Sequence, residues 1–329
     1  MSSININNKI IIPCESGDSI LRSSLRNSIG IAYECNSGGC GACKVDLISG
    51  EVQNKYPDAS SLTKRDVRKN RILACQNVPV GSIEINAEIS GGSESYILPV
   101  KYNAKLISKE IISSDVVEFS FAIKSDVKYR PGQYFMLSIC GLAERAYSVS
   151  SPDSEDGVIK FIIKKMDMGK VSSYLFDEIN SGDVIGLDGP YGHAYLIENN
   201  CDVVCIAGGA GLSPIASIIR SLKKNGSTNK LHFFYGINFI EDLNIEYILR
   251  LIGDMSGSEY NFIPAITNDN ENWSGEIGFI HQVVERCLPD FLNKEFYFCG
   301  PPVMTSAVQK MLMIEKSVPF ERMHFDRFF

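Results

Sequence analysis

The stretch Tyr33-Glu34-Cys35-Asn36-Ser37-Gly38-Gly39-Cys40-Gly41-Ala42-Cys43-Lys44 decides how the rest of the chain is read. Its cysteines are spaced C-x4-C-x2-C, and Cys75 follows after a further 31 residues. That is the ligand spacing of a plant-type [2Fe-2S] cluster. The glycines belong to the signal, because a loop wrapped round two irons needs unusual backbone angles and bare N–H groups aimed at sulfur. Three plainer readings fit less well. A structural zinc site favours two C-x2-C pairs, and only one is present, with no histidine nearby. A disulfide knot suits a short secreted chain, whereas Met1 to Lys9 is polar and has no apolar run of the signal-peptide kind. Unligated buried cysteines leave the glycines without a reason. Cys35, Cys40, Cys43 and Cys75 are therefore the expected metal ligands, and the cluster implies one-electron transfer.

At 329 residues the chain is long enough for two or three domains. The longest uncharged run, Val203 to Ile219, is broken by Gly208, Gly209, Gly211 and Pro214, so it reads as a buried strand, turn and helix, not a membrane span. The remaining cysteines, Cys14, Cys140, Cys201, Cys205, Cys287 and Cys299, follow no pairing pattern, as expected in a reducing compartment, and a cytoplasmic protein is expected. The net charge of -7 argues against a nucleic-acid partner. It is unevenly spread: residues 1–93 carry 10 basic and 9 acidic side chains, whereas 94–198 and 199–329 each carry 11 and 15. Lys64, Arg65, Arg68, Lys69 and Arg71 crowd the approach to Cys75, behind Thr63 and Asp66, which have the form of a capping box. This segment is either a solvated helix face or a docking patch for an acidic electron acceptor.

In chain order, Ser3 to Ile12 alternates as one strand. Ser16-Gly17-Asp18 offers a cap for a helix carrying Leu21, Leu25 and Ile29, which Gly30 ends. Lys44 to Ile48 reads as a strand closed by a turn at Ser49-Gly50-Glu51, and Ser82 to Ile89 as the closing strand. The small, polar run 90–95 marks a linker, with the first domain boundary at 93/94. Six short strands follow, over 101–107, 116–123, 134–139, 146–150, 158–164 and 183–187. With one helix over 171–179, they suggest a small antiparallel barrel.

The barrel carries Pro131-Gly132-Gln133-Tyr134, Arg145-Ala146-Tyr147-Ser148 and Gly169-Lys170-Val171-Ser172. A flavin dinucleotide needs a cation for its pyrophosphate, a flat group against its rings and a hydrogen-bond donor near the nitrogen that receives hydride. Arg145, Tyr147 and Ser148 could supply these in turn, and the helix start at Gly169 to Ser172 could offer N–H groups to the pyrophosphate. Singly, each motif is as consistent with packing and surface. Together and in this order they point to a flavin.

From Cys201 the pattern changes to strand and helix alternation. Gly208-Gly209-Ala210-Gly211 is a strand-to-helix turn that could admit a dinucleotide phosphate, although it is not the G-x-G-x-x-G fingerprint and any tight turn could look so. After the strand over 231–235 come Asn238, Glu241 and Asp242, with no Arg or Lys before Arg250, which favours NADH over NADPH. Cys299-Gly300-Pro301-Pro302 sits at a strand end, where open parallel sheets place ligands, and the chain closes on Phe328-Phe329.

Cluster loop, PGQY, RAYS, GKVSS, GGAGLSP and CGPPVM in this order resemble the oxygenase-reductase branch of the ferredoxin-NADP reductase superfamily, over essentially the whole chain. YECNSGGCGACK, Tyr56-Pro57-Asp58-Ala59 leading to RKNRILACQ, and the ending VPFERMHFDRFF are similar to the NADH-dependent reductase components of toluene-4-monooxygenase-like and alkene or isoprene di-iron monooxygenases. The resemblance implies a multidomain α+β and α/β chain: a β-grasp-like [2Fe-2S] domain over 1–93, an antiparallel β-barrel FAD domain over 94–198 and a Rossmann-like NADH domain over 199–329. It implies Arg145, Ala146, Tyr147, Ser148 and Lys164 at the FAD, with Gly169, Lys170, Val171 and Ser172 on its pyrophosphate. Gly208, Gly209, Gly211, Gly300 and Pro301 would lie along the NADH, Cys299 near the nicotinamide and Phe329 against the flavin. Ser148, Cys299 and Phe329 are thus the expected catalytic residues. The implied acceptor is a Rieske-type ferredoxin feeding a di-iron hydroxylase, and the implied state a monomer with no membrane partner. A Rieske dioxygenase or a deoxysugar dehydrase could be served by the same electron chain, and a non-catalytic redox sensor could keep the fold.

Overall fold

The computed structural model describes residues 2–90, 97–153, 157–253, 259–268 and 273–328. The expected linker and the 93/94 boundary fall largely outside these residues, as does Phe329. The chain forms two compact units, a first ending at Lys101 and a second over Tyr102–Phe328.

In the first unit, β1 (Ser2–Ile6), β2 (Ile10–Cys14), β4 (Lys44–Asn54), β5 (Arg71–Leu73) and β6 (Asn77–Asn86) form a sheet in the order β2-β1-β6-β4-β5. A small ribbon pairs β3 (Gly30–Ile31) with β7 (Ile89–Ser90). The terminal strand β1 lies parallel to the closing strand β6, and the other paired strands of this sheet run antiparallel. Ile4, Ile6, Ile83 and Ile85 point into the core, where α1 (Ile20–Arg26) brings the fully buried Ile20 and Leu21. A second helix, α2 (Lys64–Arg68), is one turn long.

Three local expectations need correction. Ser3 to Ile12 is a hairpin and not one strand, because Asn7 and Asn8 take positive φ (57° and 52°), the backbone of a tight hairpin turn. The helix is capped one residue later than expected, by the Ser19 hydroxyl accepting from the Arg22 N–H, and it ends at Arg26, short of Ile29 and of Gly30, which opens β3. Ser49-Gly50-Glu51 does not close a turn. Its residues stay within β4 as a bulge against β6, where a side chain at Gly50 would meet the Ser82 carbonyl at 2.7 Å.

The second unit holds two six-stranded sheets. The first uses β8 (Val100–Ser113), β9 (Val116–Ile123), β10 (Tyr134–Ser138), β11 (Arg145–Ser148), β12 (Val158–Lys164) and β13 (Val184–Tyr191), in the order β11-β10-β13-β8-β9-β12. Its outer strands approach again where the Ser150 N–H donates to the Lys160 carbonyl at 2.7 Å, drawing the antiparallel sheet towards a barrel. Phe119, Phe121, Phe135 and Phe161 fill the interior. One helix, α3 (Lys170–Ser173), continues as a π-turn over Tyr174–Glu178.

The second sheet is parallel, built from β14 (Asp202–Gly208), β15 (Leu231–Ile237), β16 (Tyr260–Ile266), β17 (Glu276–Ile277), β18 (Lys294–Gly300) and β19 (Met323–Arg327), in the order β17-β16-β15-β14-β18-β19. The strands β14 to β17 build outward on one side, and β18 and β19 on the other. The topological switch therefore lies between β14 and β18, where a parallel sheet opens a crevice at its carboxyl edge. Its helices are α4 (Leu212–Lys224), α5 (Ile245–Ile252), α6 (Ile280–Cys287) and α7 (Pro302–Lys310).

Candidate redox sites

In the first unit the four expected ligands form two thiol pairs. Cys43 Sγ lies 3.2 Å from Cys75 Sγ, and Cys35 Sγ is hydrogen-bonded by the Cys40 thiol. The Cys40 thiol holds Cys35 down to about 4, and Cys40 is raised in return. Likewise the Cys43 thiol lowers Cys75 while Cys43 is raised. The pairs feel each other's charge, Cys40 acting on Cys43 and Cys35 on Cys75. Among the described residues no three potential ligands converge on one point for a single metal ion. Two pairs of thiols match in number what a [2Fe-2S] cluster would ask for, two for each iron.

The backbone is shaped to the sulfurs. The N–H groups of Ser37 and Cys40 donate to Cys35 Sγ (3.5 and 3.4 Å), and that of Ala42 to Cys40 Sγ at 3.4 Å. Gly38 and Gly41 take φ of +89° and +75°, and Asn36 joins them at 49°. The segment between Tyr56 and Gln76 clasps this loop. Ser61 Oγ donates to the Gly38 carbonyl at 2.6 Å, Gln76 Nε2 to the Asn36 carbonyl at 3.4 Å, and Lys44 Nζ pairs with Asp66 at 2.9 Å. None of these clasping contacts could be read from cysteine spacing, since the partners stand far apart in sequence. The Thr63–Asp66 capping box is present on α2. Lys64, Arg65, Arg68 and Lys69 are exposed, whereas Arg71 is tied to Asp46 at 2.8 Å.

In the second unit, β11 places its four residues alternately. Arg145 is exposed; Ala146 and Tyr147 are partly covered, burial pushing the Tyr147 hydroxyl up to about 12; Ser148 is buried opposite Tyr134. Lys164 ends β12 and pairs with Asp115 at 2.9 Å. Gly169 caps α3 with no side chain, and a methyl there would meet Ser172 Oγ at 2.6 Å. The Val171 side chain belongs to the barrel core, so at this helix start only the backbone of Val171 is available to a ligand.

The dinucleotide turn lies at the switch point. Gly208 ends β14, Gly209–Gly211 make a single 3-10 turn, and Ala207 stands in register with Cys299. One of the three glycines is required by the chain's own backbone, and a second sits against the end of a flexible side chain. A methyl at Gly208 would stand 2.3 Å from Met304 Sδ, and one at Gly211 1.9 Å from the Cys299 carbonyl oxygen. Gly209 alone faces open space, with φ of +54°. Gly300, at φ +150°, packs against Gly208, and Pro301 caps α7. Cys299 is 1% exposed, and its burial pushes the thiol well above the ordinary range, so it stays neutral.

Paired thiols for two irons, an antiparallel sheet of the flavin-binding kind and a parallel sheet with its crevice at a glycine turn define an iron–sulfur flavoprotein oxidoreductase. Residues 4–80 match the model of the 2Fe-2S iron-sulfur cluster binding domain, 103–195 that of the oxidoreductase FAD-binding domain and 205–310 that of the oxidoreductase NAD-binding domain. The chain is 36% identical to the ferredoxin–NAD(P)+ reductase CarAd of Metapseudomonas resinovorans, over 96% of each chain. It is 31% identical to the ferredoxin–NAD+ reductase component of the alkene monooxygenase system of Xanthobacter autotrophicus, over 96% of this chain and 97% of that one. Among solved structures, the ferredoxin reductase in carbazole 1,9a-dioxygenase is 33% identical with a TM-score of 0.91, covering 100% of this chain and 98% of its own.

The chain belongs to the family of ferredoxin–NAD(P)+ reductases that serve as reductase components of oxygenase systems. It is an NADH-dependent oxidoreductase whose cofactors are [2Fe-2S], FAD and NADH. Among the described residues no helix is long and apolar enough to cross a membrane.

Proposed function

We propose that this protein passes electrons from NADH through FAD and the cluster to a Rieske-type ferredoxin that supplies a di-iron aromatic or alkene monooxygenase. The observation that carries the reading is the pairing of Cys35 with Cys40 and Cys43 with Cys75, in a chain that also holds a flavin-type and a dinucleotide-type sheet. FAD supplies the conversion of a two-electron hydride into single electrons, which the cluster can carry one at a time. Cys35, Cys40, Cys43 and Cys75 would hold the irons, and the amides of Ser37, Cys40 and Ala42, already aimed at Cys35 and Cys40 Sγ, would stabilise negative charge on sulfur.

In the flavin domain Arg145, free of the barrel interior, reaches the pyrophosphate together with the backbone of Gly169, Lys170, Val171 and Ser172. Tyr147 with Ala146 covers the rings, Ser148 presents its hydroxyl to them, and Lys164 adds positive charge. Gly208, Gly209 and Gly211, facing Gly300 and Pro301, admit the NADH, and neutral Cys299 shapes the nicotinamide pocket. Phe329, which lies outside the described residues, would be the residue against the flavin. Domain limits at 93/94 and 198/199, a cytoplasmic setting and a monomeric state complete the proposal, the six cysteines outside the cluster set, free of disulfides, supporting the reducing compartment.

Purified protein should reduce a Rieske-type ferredoxin with NADH, and with markedly lower catalytic efficiency using NADPH, because Asn238, Glu241 and Asp242 offer no cation for a 2'-phosphate. Equal efficiency with NADPH would remove the nucleotide preference. A second reading, a dioxygenase as the system served, is favoured by the likeness to the carbazole dioxygenase reductase. Comparing the reduction rates of ferredoxins from the two kinds of system separates the readings.

A further inference from the structure

The helix that begins at the dinucleotide turn has two unlike faces. Ile215, Ile218 and Ile219 of α4 pack with the parallel sheet. Ser213, Ser217, Arg220 and Lys224, spaced by four, three and four residues, form a polar stripe along another face. Ser213 and Ser217 are 1% and 0% exposed. This stripe meets the antiparallel sheet through directed bonds. Ser213 Oγ donates to the Ser148 carbonyl at 2.6 Å and accepts from the Ile162 N–H at 3.0 Å. Ser217 Oγ donates to the Ser151 carbonyl at 2.6 Å and accepts from the Gly132 N–H at 3.3 Å. Arg220 forks onto the buried Glu118 at 2.6 and 3.1 Å and donates to the Ser150 carbonyl at 2.9 Å. Lys224 pairs with Asp153.

We propose that this stripe fixes the register between the two sheets, and that Ser213 is a positioning residue for hydride transfer. It stands two residues beyond Gly211 and is bonded directly to the backbone of Ser148. A purely apolar contact would hold the sheets together while tolerating small slides. Two hydrogen bonds through one buried hydroxyl do not, since each weakens steeply with misalignment. The proposal rests on the reading that Ser148 lies at the flavin and Gly208 to Gly211 at the NADH. If so, a shift of α4 moves hydride donor and acceptor apart without removing any contact to either cofactor. A misplacement of about 1 Å can cost on the order of a hundredfold in rate.

The test uses the full-length holoprotein and follows flavin bleaching by saturating NADH without oxygen. Ser213→Ala should keep its FAD content and its NADH dissociation constant within about twofold, while the limiting rate of flavin reduction falls roughly tenfold to a hundredfold. Ser213→Thr, which keeps the hydroxyl, should recover most of that loss. A limiting rate for Ser213→Ala within about twofold of the parent overturns the proposal, and so does a loss that merely parallels loss of FAD. Should Ser213→Ala give no holoprotein, Arg220→Lys carries the same test. It keeps a charge against Glu118 but loses the fork, and an unchanged reduction rate overturns the proposal equally. Tyr147→Ala keeps the two possible failures apart. If that variant retains FAD with an unaltered spectrum, the flavin-strand reading falls and the proposal with it. If it loses FAD while Ser213→Ala reduces normally, the positioning role alone falls.

Discussion

Two glycine-rich loops stand at the two ends of the electron path, and they use their glycines for opposite reasons. In the cluster loop the glycines answer to a ligand. Gly38 and Gly41 adopt positive φ so that neighbouring amides can turn towards sulfur, and a methyl on Gly41 would come no nearer than 3.2 Å to side-chain atoms. In the dinucleotide turn the chain answers to itself. Gly211 is bare because the Cys299 backbone already fills the space a side chain would need, while Gly208 lies against the end of the Met304 side chain. One loop is shaped for something to be bound, and the other is part of a joint between β14, β18 and α4. A glycine pattern is therefore most informative about ligands when chemically committed donors stand beside it, as cysteines do in the first loop and nothing does in the second.

The largest expected effect breaks the two regions apart functionally. Cys43→Ala removes one thiol of the Cys43–Cys75 pair and leaves the second unit untouched. NADH-dependent reduction of ferricyanide through the flavin should persist near the parental rate, while reduction of a ferredoxin becomes undetectable. Equal loss of both activities would show that the cluster does not stand after the flavin in the path.

Next in size is a matched pair of glycine substitutions. Gly211→Ala drives a methyl to 1.9 Å from the Cys299 carbonyl oxygen, a backbone atom that can move only with β18. A destabilisation of about 4 kcal/mol or more is expected, the range reserved for severe core overpacking. Gly41→Ala meets the end of the Lys44 side chain and Ser61 Cβ, each at 3.2 Å, with the Ser61 carbonyl oxygen at an ordinary 3.4 Å, so its cost is mainly that of the left-handed backbone, about 1–2 kcal/mol. Thermal unfolding of the two holoproteins, read separately by flavin fluorescence and cluster absorbance, measures both. Similar shifts for the two would erase the distinction between ligand-shaped and self-shaped loops.

The sequence displayed the cluster loop fully because thiol chemistry fixes residue type and spacing together. It displayed β9 and β12 to the residue, since Val116–Ile123 and Val158–Lys164 are strand-length, mostly apolar stretches with turn residues on both sides. It hid the hairpin at Asn7-Asn8, where a run of alternating residues outweighed a turn signal of two asparagines, and it hid the bulge at Gly50, which looks like a turn until β6 is laid beside it. The clasp of Ser61, Gln76 and Asp66 round the cluster loop and the polar stripe on α4 were invisible for a common reason. Each is made of ordinary serines and charges whose meaning depends on partners tens of residues away. The capping box at Thr63 and Asp66 was legible because both of its halves lie within one turn.

The smallest expected effect sharpens the contrast at the surface. The clasp that holds the cluster loop also turns Lys64, Arg65, Arg68 and Lys69 outward, with the exposed Val67 among them, whereas the dinucleotide turn is held by buried groups. Arg71 contributes less, because Asp46 neutralises it. If α2 guides an acidic ferredoxin, its charge acts mainly on the rate of encounter, which falls with ionic strength. Arg65→Glu combined with Arg68→Glu should lower the second-order rate of ferredoxin reduction roughly three- to tenfold at low salt and flatten its salt dependence. NADH reduction of the flavin should stay unaltered, because neither residue belongs to the second unit. A solvated face predicts the opposite pattern, an unchanged rate with the parental salt slope. Stopped-flow rates at several salt concentrations distinguish the two, and the slope is the more telling readout, since a folding defect would lower the rate without flattening it.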